Sequence, residues 1–293
     1  MRTIQVTSPS NASLKITRRL HSRSGISKHG LFLMEGPRFI LDHLRRSAPQ
    51  WLILSGEATD LAADAARESS AAGARVLEVP AAIFDEVSDT ETSQGVIGVF
   101  PLPSADIGSF SPSGLTVLLD GVSDPGNMGA IIRSAAAFGC GGVIAGKGSC
   151  FPYIPKVTRS AAGTNTLLPV IPEVDLPAFM ERHAGEMEFL GAEASGRSIG
   201  DILPEAASRG LVVGSEAHGI STAVRGLLNT SVAVPMTGTV ESLNAAVSAS
   251  ILIYLLSPGS TVEGNRNHPG GSGLEVPAED AEDGPPSEKA EDR

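Results

Sequence analysis

Residues 115–139, LTVLLDGVSDPGNMGAIIRSAAAFG, set the fold class of this 293-residue chain. The stretch opens with an apolar run, residues 115–119, that has the length of a buried strand. Loop-forming residues follow, and a helix is predicted from about residue 128 to residue 138. Gly139 is placed to end that helix in a left-handed conformation. The pattern predicts one strand-loop-helix unit of an α/β protein.

Arg133 is the only charged residue of the predicted helix. Ile131, Ala135 and Phe138 recur at i, i+4 and i+7, which predicts one buried face, and Arg133 lies off that face. The arginine follows the loop at the carboxyl end of a strand, where parallel α/β sheets bind ligands. A single unit with a solvated arginine is common, so this pattern alone does not identify a site.

Two further stretches have the same character. Residues 211–221, LVVGSEAHGIS, read as a buried strand and a glycine-bounded loop that contains Glu216. Residues 232–256, VAVPMTGTVESLNAAVSASILIYLL, read as a strand, a Pro/Gly loop and a helix that opens near Ser242. Strands alternate with helices or loops through the second half of the chain, which predicts a parallel α/β sheet. The predicted strands are 115–119, 143–145, 167–171, 188–192, 211–213 and 232–234.

With these stretches together, the chain resembles the SpoU/TrmH family of RNA ribose methyltransferases, within the SPOUT superfamily. The family's first motif is an Asn followed six residues later by Arg, here Asn127 and Arg133. Its second is a Gly-x-Glu turn, here Gly214-Ser215-Glu216. Its third is an apolar-Pro-Met strand end followed by Ser-Leu-Asn, here residues 234–236 and 242–244.

The resemblance implies methyl transfer from S-adenosyl-L-methionine to a ribose 2′-hydroxyl of RNA, by a homodimer with a C-terminal trefoil knot. It makes Arg133 the residue that activates the hydroxyl, with Glu216 orienting the assembly. Because arginine is a poor base, we expect Arg133 to stabilise the developing alkoxide instead. The other implied catalytic residues are Asn127, Ser242 and Asn244, and the implied cofactor-binding residues are Gly214, Val234, Met236 and Leu243. The basic stretch that contains Lys156 and Arg159 resembles a part of the family that meets phosphates. Thr164-Asn165 departs from the family, which more often has an apolar or aromatic residue there.

Residues 1–100 are predicted to form a small α/β domain. Strands are expected at 31–34, 51–54, 75–79 and 96–100, and helices at 8–20, at 57–72 and from the Glu35-Gly36-Pro37-Arg38 turn to about residue 46. The segment resembles the substrate-binding domain of ribosomal-RNA members of the family. Its implied RNA-binding residues are Lys15, Arg18, Arg19 and Arg38. Phe32 and Phe39 are expected in the core, which leaves recognition mostly to phosphate contacts.

Charge is unevenly distributed along the chain, whose net charge is −11. Residues 1–50 carry nine Lys/Arg against two acids, whereas residues 258–293 carry nine acids against three Lys/Arg. The positive field therefore lies where the resemblance places RNA binding, so the whole-chain charge is a poor guide. Residues 101–114, rich in Pro and Ser, are predicted to be a linker before a methyltransferase domain at 115–257. Residues 258–293 are predicted to be a disordered acidic tail, because they offer little apolar surface to bury.

Other function classes find little support. Residues 141–147 approach a nucleotide-binding Walker loop, but Gly148 stands where a Ser or Thr would bind Mg²⁺. No GxGxxG opens a helix after a strand, which argues against a dinucleotide enzyme. No metal-ligand spacing is present, and Cys140 and Cys150 are expected to be inert thiols. We expect no membrane span, and we expect a cytoplasmic protein because the N-terminus lacks an apolar secretion signal.

Three alternatives remain open from the sequence. The chain could be a tRNA 2′-O-methyltransferase, although stand-alone tRNA members commonly lack the N-terminal domain. It could protect the ribosome from an antibiotic by methylation. It could also be a non-catalytic RNA-binding or ribosome-assembly protein on the same scaffold, a reading that the intact polar motifs oppose.

Overall fold

The first half of the chain forms one β-sheet, and the second half forms another. The computed structural model describes residues 3–201, 208–237 and 242–257. The predicted acidic tail, 258–293, lies outside the described residues. Across the described ranges, the first half contains β1 (Thr3–Gln5), α1 (Ala12–Arg19), α2 (Arg23–His29), β2 (Leu31–Glu35), α3 (Pro37–Leu44), β3 (Trp51–Ser55), α4 (Asp60–Ala71), β4 (Arg75–Val79), α5 (Ala81–Asp85) and β5 (Val96–Pro101). The second half contains β6 (Gly114–Asp120), α6 (Pro125–Ala137), β7 (Gly142–Gly146), α7 (Pro155–Ser160), β8 (Val170–Val174), α8 (Leu176–His183), β9 (Glu188–Ser198), β10 (Ser208–Gly214), α9 (Thr222–Arg225), β11 (Thr230–Ala233) and α10 (Ala245–Leu256).

The first sheet is mixed. Its order is β1-β4-β3-β5-β2, and β5 runs antiparallel to both of its neighbours. Its four longer strands are those predicted from the sequence. The helix predicted at 8–20 is confirmed by α1, which spans Ala12–Arg19. Ser22 then caps a second helix, α2, by accepting from the Gly25 amide, and the sequence did not predict this helix. Phe32 is fully buried as predicted, whereas Phe39 is only half-buried.

The second sheet is parallel throughout, in the order β11-β9-β10-β6-β7-β8. The predicted α/β class is therefore confirmed. The strand predicted at 167–171 lies at Val170–Val174, and β9 continues to Ser198, well beyond the predicted residue 192. Residues 238–241, between β11 and α10, lie outside the described residues, so the knot stays a prediction.

Helix α6 differs from its prediction at both ends. It begins at Pro125 because Asp124 caps it, its side chain accepting from the Asn127 amide at 2.8 Å. Asn127 therefore lies in the first helical turn and not in a loop. Gly139 has a φ of +71°, as predicted, but Phe138 is 39% exposed and does not join the buried face. The helix ends at Ala137. The Phe138 ring, just beyond this end, packs on Tyr254 of α10, with the ring centroids 5.3 Å apart.

The two halves share one packed core. Phe32 of β2 meets Tyr153 of the second half, with ring centroids 5.7 Å apart. Thr166 is hydrogen-bonded to His43 of α3 at 3.0 Å, and Arg159 of α7 pairs with Asp89 at 2.9 Å. The segment between the halves also packs, since Phe110 lies 6.2 Å from Phe179 of α8. These contacts hold α7 and the loop after it against the first sheet.

Candidate active site

The carboxyl ends of three parallel strands carry the motif residues. Asn127 follows β6, Glu216 follows β10, and Asn244 follows β11 and caps α10. Because β6 and β10 pair directly and run in the same direction, their following loops meet at one edge of the sheet. This edge is the usual ligand site of parallel α/β sheets.

A chain of side-chain hydrogen bonds joins the three motifs. The Asn127 amide donates from Nδ2 to Glu216 Oε1 at 2.6 Å, and Asn244 Nδ2 donates to Asn127 Oδ1 at 3.0 Å. Asn244 Oδ1 in turn accepts from the backbone amides of Ala246 and Val247. Ser242, at the predicted helix opening, is therefore not the residue that caps α10. In both asparagine side chains the amide oxygen and the amide nitrogen are hydrogen-bonded, so this series of hydrogen bonds fixes the orientation of Asn127 and of Glu216.

The loop that holds Glu216 depends on a glycine. The Ser215 amide donates to the Gly219 carbonyl at 3.0 Å, and the Gly219 amide donates back to Ser215 at 2.9 Å. A Cβ on Gly214 would lie 2.2 Å from the Gly219 carbonyl carbon, so only glycine allows this closure. Asp120, at the end of β6, accepts from the Ser221 amide at 2.7 Å and fixes the far side of the loop. The small size of Gly214 thus serves the turn as well as the cavity beside it.

A cavity of ≈ 440 Å³ opens next to this chain. Its lining includes the predicted site residues Gly214, Glu216, Val234, Met236, Ser242, Leu243 and Asn244. Buried Val213 and Leu252 give it apolar surface, and Glu193 adds a second carboxylate. S-Adenosyl-L-methionine has a flat adenine ring, ribose hydroxyls and a cationic sulfonium, so the mixture of apolar side chains and two carboxylates fits this molecule.

The sequence did not single out the β9 side of the cavity. Glu193 pairs with Arg225 and accepts from the Ser231 hydroxyl, so neighbouring strands and α9 fix its position. Ala192, Ala194 and Ser248 also line the cavity. The predicted strand ended at residue 192, and no motif marks the residues after it. Only the strand order, with β9 between β10 and β11, brings them to the site.

Arg133 does not line the cavity. It lies on the exposed surface of α6, and its guanidinium makes no hydrogen bond or ion pair with the described residues. The face of α6 that meets α10 carries Asn127 and Ser134, and Ser134 is hydrogen-bonded to Ser250 at 2.7 Å. Arg133 is one residue from Ser134 and so lies about 100° around the helix from that face. Its guanidinium is free to meet a ligand that arrives from solution.

The predicted RNA-binding residues fall into two groups. Lys15, Arg19, Arg38 and Lys156 are exposed. Arg18 is held by Glu86 and by the Pro9 carbonyl, and Arg159 is held by Asp89. The second group is thus already engaged by the acidic segment 86–89. Segment 88–93 is itself anchored by Glu35, which accepts from three hydroxyl groups, those of Ser88, Thr90 and Ser93.

Both cysteines lie in surroundings that disfavour the thiolate. Burial raises the pKa of the Cys140 thiol to about 11, and burial together with Asp124 raises that of Cys150. The described part of the chain contains no cluster of three or more His, Cys, Asp or Glu residues that could hold a metal ion. None of its helices combines the length and the apolar character needed to cross a membrane.

Comparison with known proteins finds a family match for each half of the chain. Residues 114–254 match the SpoU rRNA Methylase family, and residues 11–98 match the MRM3-like substrate binding domain. The solved structure of a putative RNA methyltransferase of the TrmH family from Porphyromonas gingivalis is 30% identical. It has a TM-score of 0.72, over 84% of this chain and 98% of that one.

The chain belongs to the SpoU/TrmH family of RNA methyltransferases. A curated relative, the Bacillus subtilis 23S rRNA (guanosine(2553)-2'-O)-methyltransferase RlmP, is 29% identical over 86% of this chain and 98% of its own. The SpoU methyltransferase AviRb of Streptomyces viridochromogenes, solved in complex with AdoMet, is 27% identical. It has a TM-score of 0.72, over 84% of this chain and 97% of that one. This SpoU/TrmH protein is an S-adenosyl-L-methionine-dependent RNA (ribose-2′-O)-methyltransferase.

Proposed function

We propose that this SpoU/TrmH enzyme methylates a ribose 2′-hydroxyl of large-subunit ribosomal RNA in the cytoplasm. The observation that carries the activity is the hydrogen-bond chain of Asn127, Glu216 and Asn244 at the cavity edge, because it joins all three motifs in one rigid group. The ribosomal target is supported by the RlmP relative, which acts on 23S rRNA by its name, and by the match of residues 11–98 to a substrate binding domain.

The cavity residues would hold the cofactor, which supplies an electrophilic methyl group on sulfur. Gly214, Val234, Met236 and Leu243 would contact the adenosyl part. Main-chain groups at glycine and at strand ends can reach the edge of a purine, since few side chains obstruct them. The fixed position of these residues saves orientation entropy, a contribution that reaches about 7–11 kcal/mol in well-oriented reactions.

Arg133 would act on the RNA hydroxyl. The guanidinium of arginine stays protonated in proteins and is a poor base, so we assign it the stabilisation of the developing alkoxide. Its guanidinium has no partner among the described residues, so it is available to bind an anion of the substrate. A neighbouring RNA phosphate would accept the proton. Ser242 would hydrogen-bond the ribose, while Asn127, Asn244 and Glu216 position the groups around it.

RNA would be bound across both halves of the chain. We assign residues 1–100 to an RNA-binding domain, 101–114 to a linker and 115–257 to the methyltransferase domain. Exposed Lys15, Arg19, Arg38 and Lys156 would meet phosphates directly, and phosphate contacts of this kind position an RNA without reading its sequence. Arg18 would release Glu86, and Arg159 would release Asp89, so that each guanidinium could bind an RNA phosphate in place of the carboxylate.

We also propose a homodimer through α10. Val247 and Tyr254 are 48% and 41% exposed, and with Ile251 they lie at i, i+4 and i+7 on one face of the helix. Phe138 of α6 extends this apolar stripe through its contact with Tyr254. A stripe of this kind on a surface helix marks an interaction site.

The dimer is tested by Tyr254→Glu, with the molar mass measured by light scattering. The variant should be a monomer, because a buried unpaired carboxylate opposes association. Ile4→Glu is the matched control, since Ile4 is 45% exposed at the edge of the first sheet. A dimer that survives Tyr254→Glu, or a wild-type monomer, would contradict this part of the proposal.

The RNA target is tested by mapping 2′-O-methyl groups in cells with and without the gene, and by methyl transfer in vitro to large-subunit rRNA and to tRNA. One large-subunit position should lose its methyl group in the deletion strain and regain it with the wild-type protein, but not with Arg133→Ala. A site in tRNA alone would overturn the ribosomal assignment. Transfer to neither RNA would favour a non-catalytic RNA-binding protein.

A further inference from the structure

A second cavity, also of ≈ 440 Å³, lies where α3 meets the loop after α7. We call it the α3 groove. It is lined by the end of α3 and residues 45–46 on one side and by residues 162–167 on the other, and it shares no residue with the cofactor cavity. Its volume falls in the range of ligand pockets, roughly 300–1,000 Å³. Its position between the two halves exposes it to any RNA that spans them.

The groove carries unpaired positive charge. Arg45 and Arg46 are both exposed, and the guanidinium of neither makes a hydrogen bond or ion pair with a residue that the structure describes. Arg18 and Arg159, in contrast, are already held by carboxylates. Asp42 is the one acidic residue in the lining, so the two arginines leave the groove with net positive charge. Free guanidinium groups of this kind are suited to phosphate.

His43 adds polar surface to the groove without adding charge. Burial, and secondly the nearby Arg46, lower the pKa of His43 to about 4, so the ring is neutral at pH 7. Its Nδ1 is hydrogen-bonded to the Thr166 hydroxyl at 3.0 Å, which ties the two walls of the groove together. This hydrogen bond between the halves therefore fixes the position of one wall relative to the other.

The walls also offer apolar surface. Phe39 is half-buried at the groove, and Leu167 is 47% exposed. The backbone of the wall that carries Leu167 is unusual, because Ala162 has a φ of +52° and Gly163 a φ of +75°. A left-handed alanine is strained, and strained residues concentrate at ligand clamps. Phe39 offers an aromatic surface and Leu167 an aliphatic one, and both can pack against a flat base. Arg45 and Arg46 add two cations that can bind phosphate, so the groove matches a nucleotide.

We propose that the α3 groove binds an unpaired nucleotide of the RNA substrate. Its base packs between Phe39 and Leu167, and its flanking phosphates bind Arg45 and Arg46. Proteins read RNA mainly through unpaired bases that leave the helix and stack on side chains, and phosphate contacts hold the backbone in register. The inference rests on the proposed function, since it takes RNA as the substrate. It adds a recognition site away from the methylated ribose.

The test compares two RNAs with equal numbers of phosphates, a hairpin with an unpaired loop and a fully paired duplex. Their affinities for the full chain are measured over a range of salt concentrations. Arg45→Gln combined with Arg46→Gln should weaken hairpin binding roughly tenfold. It should also lower the log–log salt slope by about 1.4, because each of the two single-strand phosphate contacts accounts for about 0.7. Leu167→Ser should weaken hairpin binding and leave the slope unchanged, since it removes no charge.

The matched control is Arg67→Gln combined with Arg182→Gln, which removes the same charge from exposed positions outside the groove. It should leave the preference for the hairpin intact. An equal loss of affinity in the control and groove variants would overturn the proposal, because net charge alone would then explain it. An equal loss for hairpin and duplex would also overturn it, since no unpaired base would be read. Failure of the wild-type protein to methylate rRNA would count against the proposed function only, because the binding comparison does not depend on turnover.

Discussion

Exchanging the charged and neutral ends of the Asn127–Glu216 hydrogen bond gives the sharpest test of the site. Asn127→Asp replaces the donating amide by a carboxylate and places it against the carboxylate of Glu216, where the two residues were joined at 2.6 Å. Asn127→Ala removes this hydrogen bond, and also the one that Asn244 donates to Asn127, without adding charge. Asn127→Asp combined with Glu216→Gln restores a donor and an acceptor with the direction reversed. In that double variant the new carboxylate at position 127 can still accept from Asn244.

The expected energies follow from the geometry. A hydrogen bond of this kind contributes about 0.5–1.5 kcal/mol. Asn127→Ala removes two of them and should lower the free energy of unfolding by about 2 kcal/mol, whereas Asn127→Asp loses only the one to Glu216. Two unit charges about 4 Å apart repel by about 1 kcal/mol in water and about 4 kcal/mol at an effective dielectric constant near 20. Because Glu216 is exposed and Asn127 half-buried, we expect a further cost of about 1–2 kcal/mol for Asn127→Asp. The double variant should recover most of this loss.

Urea unfolding and calorimetric binding of S-adenosyl-L-methionine, each at low and high salt, measure these differences. Salt should relieve Asn127→Asp and leave Asn127→Ala unchanged, since only the first contains a screened repulsion. Methyl transfer then shows whether the carboxylate must stand at position 216. The reasoning would be refuted if salt did not raise the stability of Asn127→Asp relative to Asn127→Ala, or if the double variant were no better than Asn127→Asp alone.

Three further outcomes are expected. Arg133→Ala should reduce methyl transfer by roughly 10²–10³-fold with an unchanged melting temperature, because it removes a group that contacts a developing anion and packs against little; near-normal turnover would exclude the assigned role. The His43 pKa is lowered from 6.5 to about 4, so the unfolded chain binds the extra proton between these values. Stability should therefore fall by about 3 kcal/mol as the pH drops from 6.5 to 4, and a urea titration of His43→Gln should show a smaller loss over that window. Removal of residues 1–100 should lower the melting temperature of the remainder, since it uncovers Tyr153 where Phe32 packed; an unchanged melting temperature would show that this shared core contributes little.

The sequence determined the fold class and most of the site. Alternating apolar runs and loop residues require strands covered by helices, and this local pattern was enough to predict the parallel sheet. The motifs around Asn127, Glu216 and Asn244 could be located because each follows a strand that is readable on its own. The capping signal at Asp124-Pro125 was also local, and reading it would have placed Asn127 in the helix.

Tertiary packing decided the rest, because it depends on which distant residues meet. No pattern in the sequence shows that Asn127 bonds to Glu216, 89 positions away, or that Glu193 closes the cavity from β9. Phe138 fits the spacing of a buried helix face, yet its exposure follows from where α6 ends and where α10 packs. The α3 groove forms where the end of α3 meets residues 162–167, and there His43 and Thr166, 123 positions apart, are hydrogen-bonded across the two halves. Periodicity reports the environment of a residue within its own element, whereas a site is made where elements meet.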